Sequence, residues 1–240
     1  MARRSPTRSP ESGLPTAEAD ILWAGAQDLG VELGSEALER IGRFLGLLAL
    51  WNGRFRLTGD RELQVIARKH VVDSLAPVPY LPTKGLIVDI GTGAGFPGIV
   101  LGCVRPDLPL VLIESRRRPT SFLREAVRSI PLPRTQVLEL RAATAAHEPN
   151  LSHRVKLVIA RGVQPRIFFG AAAALLATDG MAIAMQTPRS ARTAVEIARP
   201  YGLRLAGTRD YRLPDGSQRS LLLLSPFMAA EAVSSRRRLC

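Results

Sequence analysis

Between residues 86 and 98 the chain reads Leu-Ile-Val-Asp-Ile-Gly-Thr-Gly-Ala-Gly-Phe-Pro-Gly. An apolar run stops at Asp89 and gives way to Gly91, Gly93 and Gly95, and Gly98 closes the segment. Glycines let backbone approach a ligand closely, and at the carboxyl end of a strand in an open α/β sheet such a loop floors a ligand pocket. Gly93-Ala-Gly95-Phe-Pro-Gly98 formally satisfies the dinucleotide pattern G-x-G-x-x-G. Two features weigh against a dinucleotide. Asp89 precedes the glycines, where a carboxylate opposes a pyrophosphate but suits a cationic sulfonium and its amino group. Phe96 crowds the turn, and Pro97 has no N–H to offer a pyrophosphate. The balance favours S-adenosylmethionine. The next apolar run, Leu110 to Ile113, ends in Glu114, where both kinds of nucleotide-binding fold place an acid for ribose hydroxyls. The alternative for Glu114 is an ion pair with Arg116 or Arg117.

These residues need strands to carry them and helices to cover the strands. Short aliphatic runs predict strands at 86–90, 110–114, 135–139, 156–160, 180–185, 203–211 and 219–225, with helices between them at 98–104, 118–129, 166–177 and 190–199. That alternation is the mark of βαβ units in a parallel sheet. The step Asp215-Gly216 predicts a hairpin joining the last two strands, so that the sheet ends antiparallel. Upstream, helical spacing covers 16–29 and 35–51, with Ser35 as expected N-cap, and continues through 62–67 and 70–75 until Pro77, Pro79 and Pro82 end it. The expected organisation is a basic disordered tail at 1–15, a helical cap at 16–84, a catalytic domain at 85–228 and a second basic tail at 229–240.

The formal net charge of +12 favours a polyanionic partner. Of 33 basic residues only Lys69, Lys84 and Lys156 are lysines, a bias that a GC-rich genome alone can produce; it does not explain the excess of positive over negative charge. The two cysteines, Cys103 and Cys240, supply neither a disulfide framework nor a metal site, which fits a reducing cytoplasm. The longest apolar runs are far short of the roughly 20 residues a spanning helix needs, so no membrane association is expected.

Several further patterns accompany the glycine loop: Trp51-Asn52 followed by Leu57-Thr58, His70-Val-Val-Asp73-Ser74-Leu75, and Val104-Arg-Pro-Asp107 leading to Glu114-Ser115. In this order the chain resembles the bacterial 16S ribosomal RNA guanine-N7 methyltransferases, the family of glucose-inhibited division protein B, over roughly residues 35–225. The resemblance implies an α/β, Rossmann-like class I S-adenosylmethionine-dependent methyltransferase fold: a mainly parallel seven-stranded sheet with an antiparallel last strand and an N-terminal helical cap. It implies methylation of guanine N7 in 16S rRNA, with rRNA or the 30S subunit as partner and a cytoplasmic monomer as the working form. A methyltransferase with another RNA or small-molecule acceptor, and a non-catalytic ribosome-binding or assembly protein, are the alternatives.

By that resemblance Gly91 and Phe96 line the donor, Glu114 holds its ribose, Ala142 and Ala143 border the adenine, and Arg161 faces the reaction cleft. Guanine N7 carries a lone pair and no proton, so alignment suffices and no dedicated base is expected. Arg161 suits a phosphate, guanine O6 or the donor carboxylate; a structural salt bridge is the competing role. His70 and Asp73 share a helix side and serve either the cleft or a bond that holds the cap. Trp51 and Asn52 are expected to anchor the cap. Arg54, Arg56, Arg61, Arg68, Lys69, Arg116 and Arg117 are candidates for the rRNA backbone, against an ordinary solvated face. Two positions depart from the family pattern: Ala143 replaces an acid, and Met185-Gln186 a strand ending in Lys-Gly.

Overall fold

The computed structural model describes residues 14–227. The tails expected at 1–15 and 229–240 lie outside the described residues, apart from Leu14 and Pro15.

Seven strands form one sheet: β1 (Leu86–Ile90), β2 (Leu110–Glu114), β3 (Thr135–Glu139), β4 (Val155–Arg161), β5 (Leu176–Gln186), β6 (Leu203–Arg212) and β7 (Gln218–Pro226). Their order is β3-β2-β1-β4-β5-β7-β6. β1 to β5 run parallel, and β7 is antiparallel to both β5 and β6. The chain moves outward from β1 through β2 to β3 and then crosses to β4 on the other side of β1. This reversal is the switch point beyond whose strand ends such sheets bind ligands.

Side chains alternate along each strand, and both faces are covered. Ile87, Leu110, Leu112, Leu157 and Ile159 meet a layer made from α1 (Thr16–Asp28), α2 (Ser35–Phe55), α5 (Gly98–Val104) and α6 (Arg117–Ser129). Val88, Ile90, Val111, Ile113 and Val158 face α8 (Pro165–Leu175) and α9 (Pro188–Ala198). Asp89 falls between Val88 and Ile90, so its side chain points into the first layer.

The N-terminal helices share that layer's core. α2 buries Ala37, Ile41, Phe44, Leu45, Leu48 and Asn52, a stripe at helical spacing. Phe44 meets Phe96 edge-on at 5.2 Å, and Trp51 meets Phe122 edge-on at 5.7 Å, so Trp51 packs α2 onto the core. Helix α2 runs past the expected end at Trp51 to Phe55, where Arg56 turns left-handed at φ 47°. Ser35 is not the N-cap: Gly34 holds that position, with no side-chain bond.

The segments expected at 62–67 and 70–75 are continuous. A helical turn α3 (Leu63–Ile66) passes through a π turn at Ala67–Val71 into α4 (Val72–Leu75). Such π turns recur at functional sites. Strand β5 begins at Leu176 rather than residue 180, because Leu176 already pairs with Val155 ahead of an irregularity in register. A short helix, α7 (Ala142–Ala145), follows β3 and has too few residues to show a period. The hairpin at Asp215-Gly216 is present: Gly216 adopts φ 82°, and Leu213 N–H donates to Ser217 O.

Candidate active site

The glycine loop leaves β1 in a conformation that only glycine adopts freely. Gly91, Gly93 and Gly95 have φ of 68°, 59° and 94°. Gly98 is needed for space: a Cβ there would lie 2.3 Å from Leu112 Cδ2 and 2.6 Å from Asp89 Oδ2. That second distance reflects a contact that fixes the loop, because Gly98 N–H donates to Asp89 Oδ2 at 2.8 Å. Asp89 is wholly buried. Burial pushes its carboxyl up to about 6, against the opposing pull of the Thr92 hydroxyl and Gly98 N–H. Asp89 Oδ1 and Thr92 Oγ1 are nevertheless each left without a hydrogen bond of normal geometry among the described residues.

Glu114 stands at the end of β2, facing the loop. Its Oε2 accepts from Gly93 N–H at 3.0 Å and from Arg116 Nη2 at 3.4 Å; its Oε1 accepts from the Arg116 backbone N–H at 2.9 Å and from Nε at 3.1 Å. Burial acts to raise this carboxyl, but the Arg116 bonds outweigh it and hold it below the usual range. The ion pair with Arg116, the alternative weighed for Glu114, is therefore present.

These residues fit a nucleoside-bearing methyl donor. A Cβ on Gly93 would meet only Arg116 Nη2 at 3.8 Å and Gly91 O at 3.9 Å, so the loop presents an open backbone face beside an acid. Ala142 and Ala143 open α7 one strand further along, half-buried and exposed respectively. Phe96 is turned inward instead, stacked on His70 at 5.3 Å and lying under the Arg161 guanidinium at 5.2 Å.

On the other side of β1, Arg161 ends β4. Its Nη1 donates to Asp73 Oδ2 at 2.9 Å and its Nη2 to His70 Nδ1 at 3.2 Å. The salt-bridge role is thus real, yet it uses two of the five N–H donors of the guanidinium. Arginine cannot accept, so Nδ1 of His70 must; the proton then sits on Nε2, which meets Asp60 Oδ2 at 3.0 Å. Burial, and then the charge of Arg161, lower the His70 pKa from 6.5 and favour this neutral form. Tyr211 OH donates to Asp73 Oδ1 at 2.6 Å. Burial and the Asp73 charge raise the Tyr211 pKa, so the phenol keeps its proton.

A cavity of about 470 Å³ opens beside this network, lined by Arg161, His70 and Asp73 with Asp60, Lys69, Gln186, Thr187, Ser190 and Arg219 among others. The π turn brings His70 and Asp73 to Arg161. Asp60 is positioned by α2: the Asn52 amide donates to Thr58 Oγ1 at 2.9 Å and to Asp60 O at 2.8 Å, while Thr58 N–H donates back to Asn52 Oδ1 at 3.0 Å.

Asp60, Tyr211, Thr187 and Ser190 were not marked by sequence patterning. Only the Asn52 to Thr58 spacing hinted at the turn that carries Asp60. Of the basic candidates, Arg54, Arg56, Arg61, Arg68 and Arg117 are exposed, Lys69 pairs with Asp60 at 3.6 Å, and Arg116 is held by Glu114. Among the described residues no group of three or more His, Cys, Asp or Glu is placed to hold a metal, and no helix is long and apolar enough to cross a membrane.

Residues 37–203 match the GidB family, described as rRNA small subunit methyltransferase G. The chain is 37% identical over 169 residues to the ribosomal RNA small subunit methyltransferase G of Halorhodospira halophila, covering 70% of this chain and 78% of that one. It is 34% identical over 211 residues to the protein of the same name from a Geobacter species, covering 85% and 96%. Among solved structures it is similar to TrmN of Thermus thermophilus, with TM-score 0.54 and 20% identity over 65% of this chain and about half, 49%, of that one. It is also similar to the fibrillarin pre-rRNA processing protein of Methanococcus jannaschii, with TM-score 0.51 and 16% identity over 60% and 66%. At these identities the two structures share the fold.

Proposed function

Because the chain belongs to the GidB family of rRNA small subunit methyltransferases, we propose that it methylates N7 of one guanine in 16S rRNA with S-adenosylmethionine as donor. The observation that carries the reading is the pairing of two half-sites across the switch point. One is the open glycine loop with Glu114; the other is the cavity around Arg161.

Bound S-adenosylmethionine supplies an electrophilic methyl group on a sulfonium. Guanine N7, which carries a lone pair and no proton, could take that methyl directly, with the positive charge passing from sulfur to the guanine ring. No proton moves, so the protein's task is alignment. Gly91 and Gly93 set backbone against the nucleoside, Glu114 accepts from its ribose, and Ala142 and Ala143 border its base. Asp89 acts through Gly98, holding the loop that the donor meets. Arg161, fixed by Asp73 and His70, turns its remaining N–H groups to guanine O6 or a phosphate, and Tyr211 holds Asp73 in turn. Exposed Arg54, Arg56, Arg68 and Arg117 contact the RNA backbone. The working form is a cytoplasmic monomer acting on the 30S subunit.

The test is transfer from radiolabelled S-adenosylmethionine to 30S subunits lacking base modifications, beside naked rRNA, with the label mapped through the alkaline lability of N7-methylguanine. Label at a single guanine, abolished by Glu114→Ala, is the expected result. Donor binding with no label in either RNA would instead indicate a different acceptor, and absence of donor binding a non-catalytic protein.

A further inference from the structure

The surroundings of Glu114 contain more donors than a ribose site can keep. A carboxylate offers about four lone-pair positions, and in this structure four donors fill them: the N–H groups of Gly93 and Arg116, and Nε and Nη2 of Arg116. The Glu114 side chain is only 5% exposed, so it has no free flank to offer. Two of the four donors belong to backbone that the fold fixes. The other two belong to one guanidinium on a side chain that is 69% exposed. Moving that single group frees two acceptor positions, the number that the two hydroxyls of a ribose require.

The same guanidinium lies over the open face of the glycine loop, where its Nη2 is the atom nearest to a Gly93 Cβ. Arg116 is followed by exposed Arg117 and Arg118 at the start of α6, an end of a helix that disfavours cations and favours a phosphate. Once displaced, it joins a run of cations at the mouth of the site.

We propose that Arg116 is a placeholder on Glu114: the ribose hydroxyls of the donor displace its guanidinium, and the freed cation then takes a phosphate of the RNA, so that donor binding strengthens RNA binding. The inference rests on the function proposed above. By linkage the effect is reciprocal, and RNA strengthens donor binding by the same factor.

The experiment uses the full chain, S-adenosylhomocysteine as unreactive donor analogue and unmodified 30S subunits, and reads binding alone. Arg116→Met keeps the bulk and the backbone N–H and removes the competitor. Calorimetry should show it binding the analogue about two- to fivefold tighter than wild type, the range expected for loss of an ion pair whose cation lies in solvent. For the wild-type chain, the slope of log affinity for 30S against log salt concentration should steepen by about 0.7–0.9 when the analogue is added, the value for one phosphate. In Arg116→Met the slope should not respond to the analogue. Arg117→Met should lower the slope equally with and without it.

Equal or weaker analogue binding by Arg116→Met, or a wild-type slope that ignores the analogue, overturns the inference. If wild type methylates 30S while either of those results holds, the inference alone fails. A wild-type chain that binds no analogue overturns the proposed function as well.

Discussion

Replacing Asp89 by asparagine should stabilise the protein at neutral pH, although it removes a charge beside the donor loop. The wholly buried carboxyl is pushed up from 3.8 to about 6. A raised acid pKa means that the native chain holds its proton more readily than the unfolded chain, so stability falls as pH rises through this window. The shift is about two units, which at about 1.36 kcal/mol per unit amounts to a penalty of about 3 kcal/mol at pH 7. Asparagine resembles the protonated acid. Its carbonyl can still accept from Gly98 N–H, and its amide can donate to Thr92 Oγ1, which has no hydrogen bond of normal geometry among the described residues.

The advantage of Asp89→Asn over wild type should therefore be about 3 kcal/mol at pH 7 and about 1 kcal/mol at pH 4.5. At roughly 2–4 °C per kcal/mol for a chain of this size, the difference at pH 7 is also visible in Tm. Urea unfolding of both proteins at the two pH values measures it, and taking the difference cancels every other titrating group, His70 included. A variant less stable than wild type at pH 7, or an advantage independent of pH, would refute the reasoning from burial.

Gly98→Ala forces a methyl against Leu112 and Asp89, and should cost about 1–3 kcal/mol, as overpacking does, with weakened donor binding; thermal melts and calorimetry check both. His70 should make activity fall in acid. Its folded pKa lies below 6.5, so between the two values the unfolded chain holds more protons, and stability is lost as pH falls through that window. Protonation also puts an N–H on Nδ1 facing Arg161, whereas His70→Gln, whose carbonyl can accept without titrating, should flatten the acid limb of kcat/KM. Arg161→Lys cannot reach both Asp73 and His70 as a planar fork does; kcat should drop roughly a hundredfold through misalignment, with donor affinity unchanged by calorimetry.

The glycine-loop side of the candidate site was legible in the sequence because its parts are local. Asp89, Gly93 and Gly98 lie within ten residues, and the strand that precedes them and the acid that ends the next are both read from short apolar runs. What the sequence left open there is occupancy: spacing places Glu114 by the loop and offers Arg116 or Arg117 as its partner, and the structure shows that Arg116 fills it. For Phe96 the resemblance implied a place along the donor, and what the sequence does not show is that its ring packs under Arg161 and against Phe44.

The Arg161 side of the candidate site is built from contacts that no window contains. Arg161 meets Asp73 across 88 residues and His70 across 91, and Tyr211 reaches Asp73 across 138. His70 and Asp73 share a readable pattern and Arg161 ends a readable strand, but their meeting, and the arrival of Tyr211, depend on how the N-terminal helices pack against the sheet. That packing is why the helical layer matters to function: α2 buries Phe44 against Phe96 and, through Asn52, holds Asp60 under His70. A change at the far end of α2 therefore reaches Arg161 by a chain of two hydrogen-bonded residues, Asp60 and His70, which passes beside the ring of Phe96. Perturbing that route should alter RNA turnover while leaving donor affinity untouched, the opposite of what Gly98→Ala does.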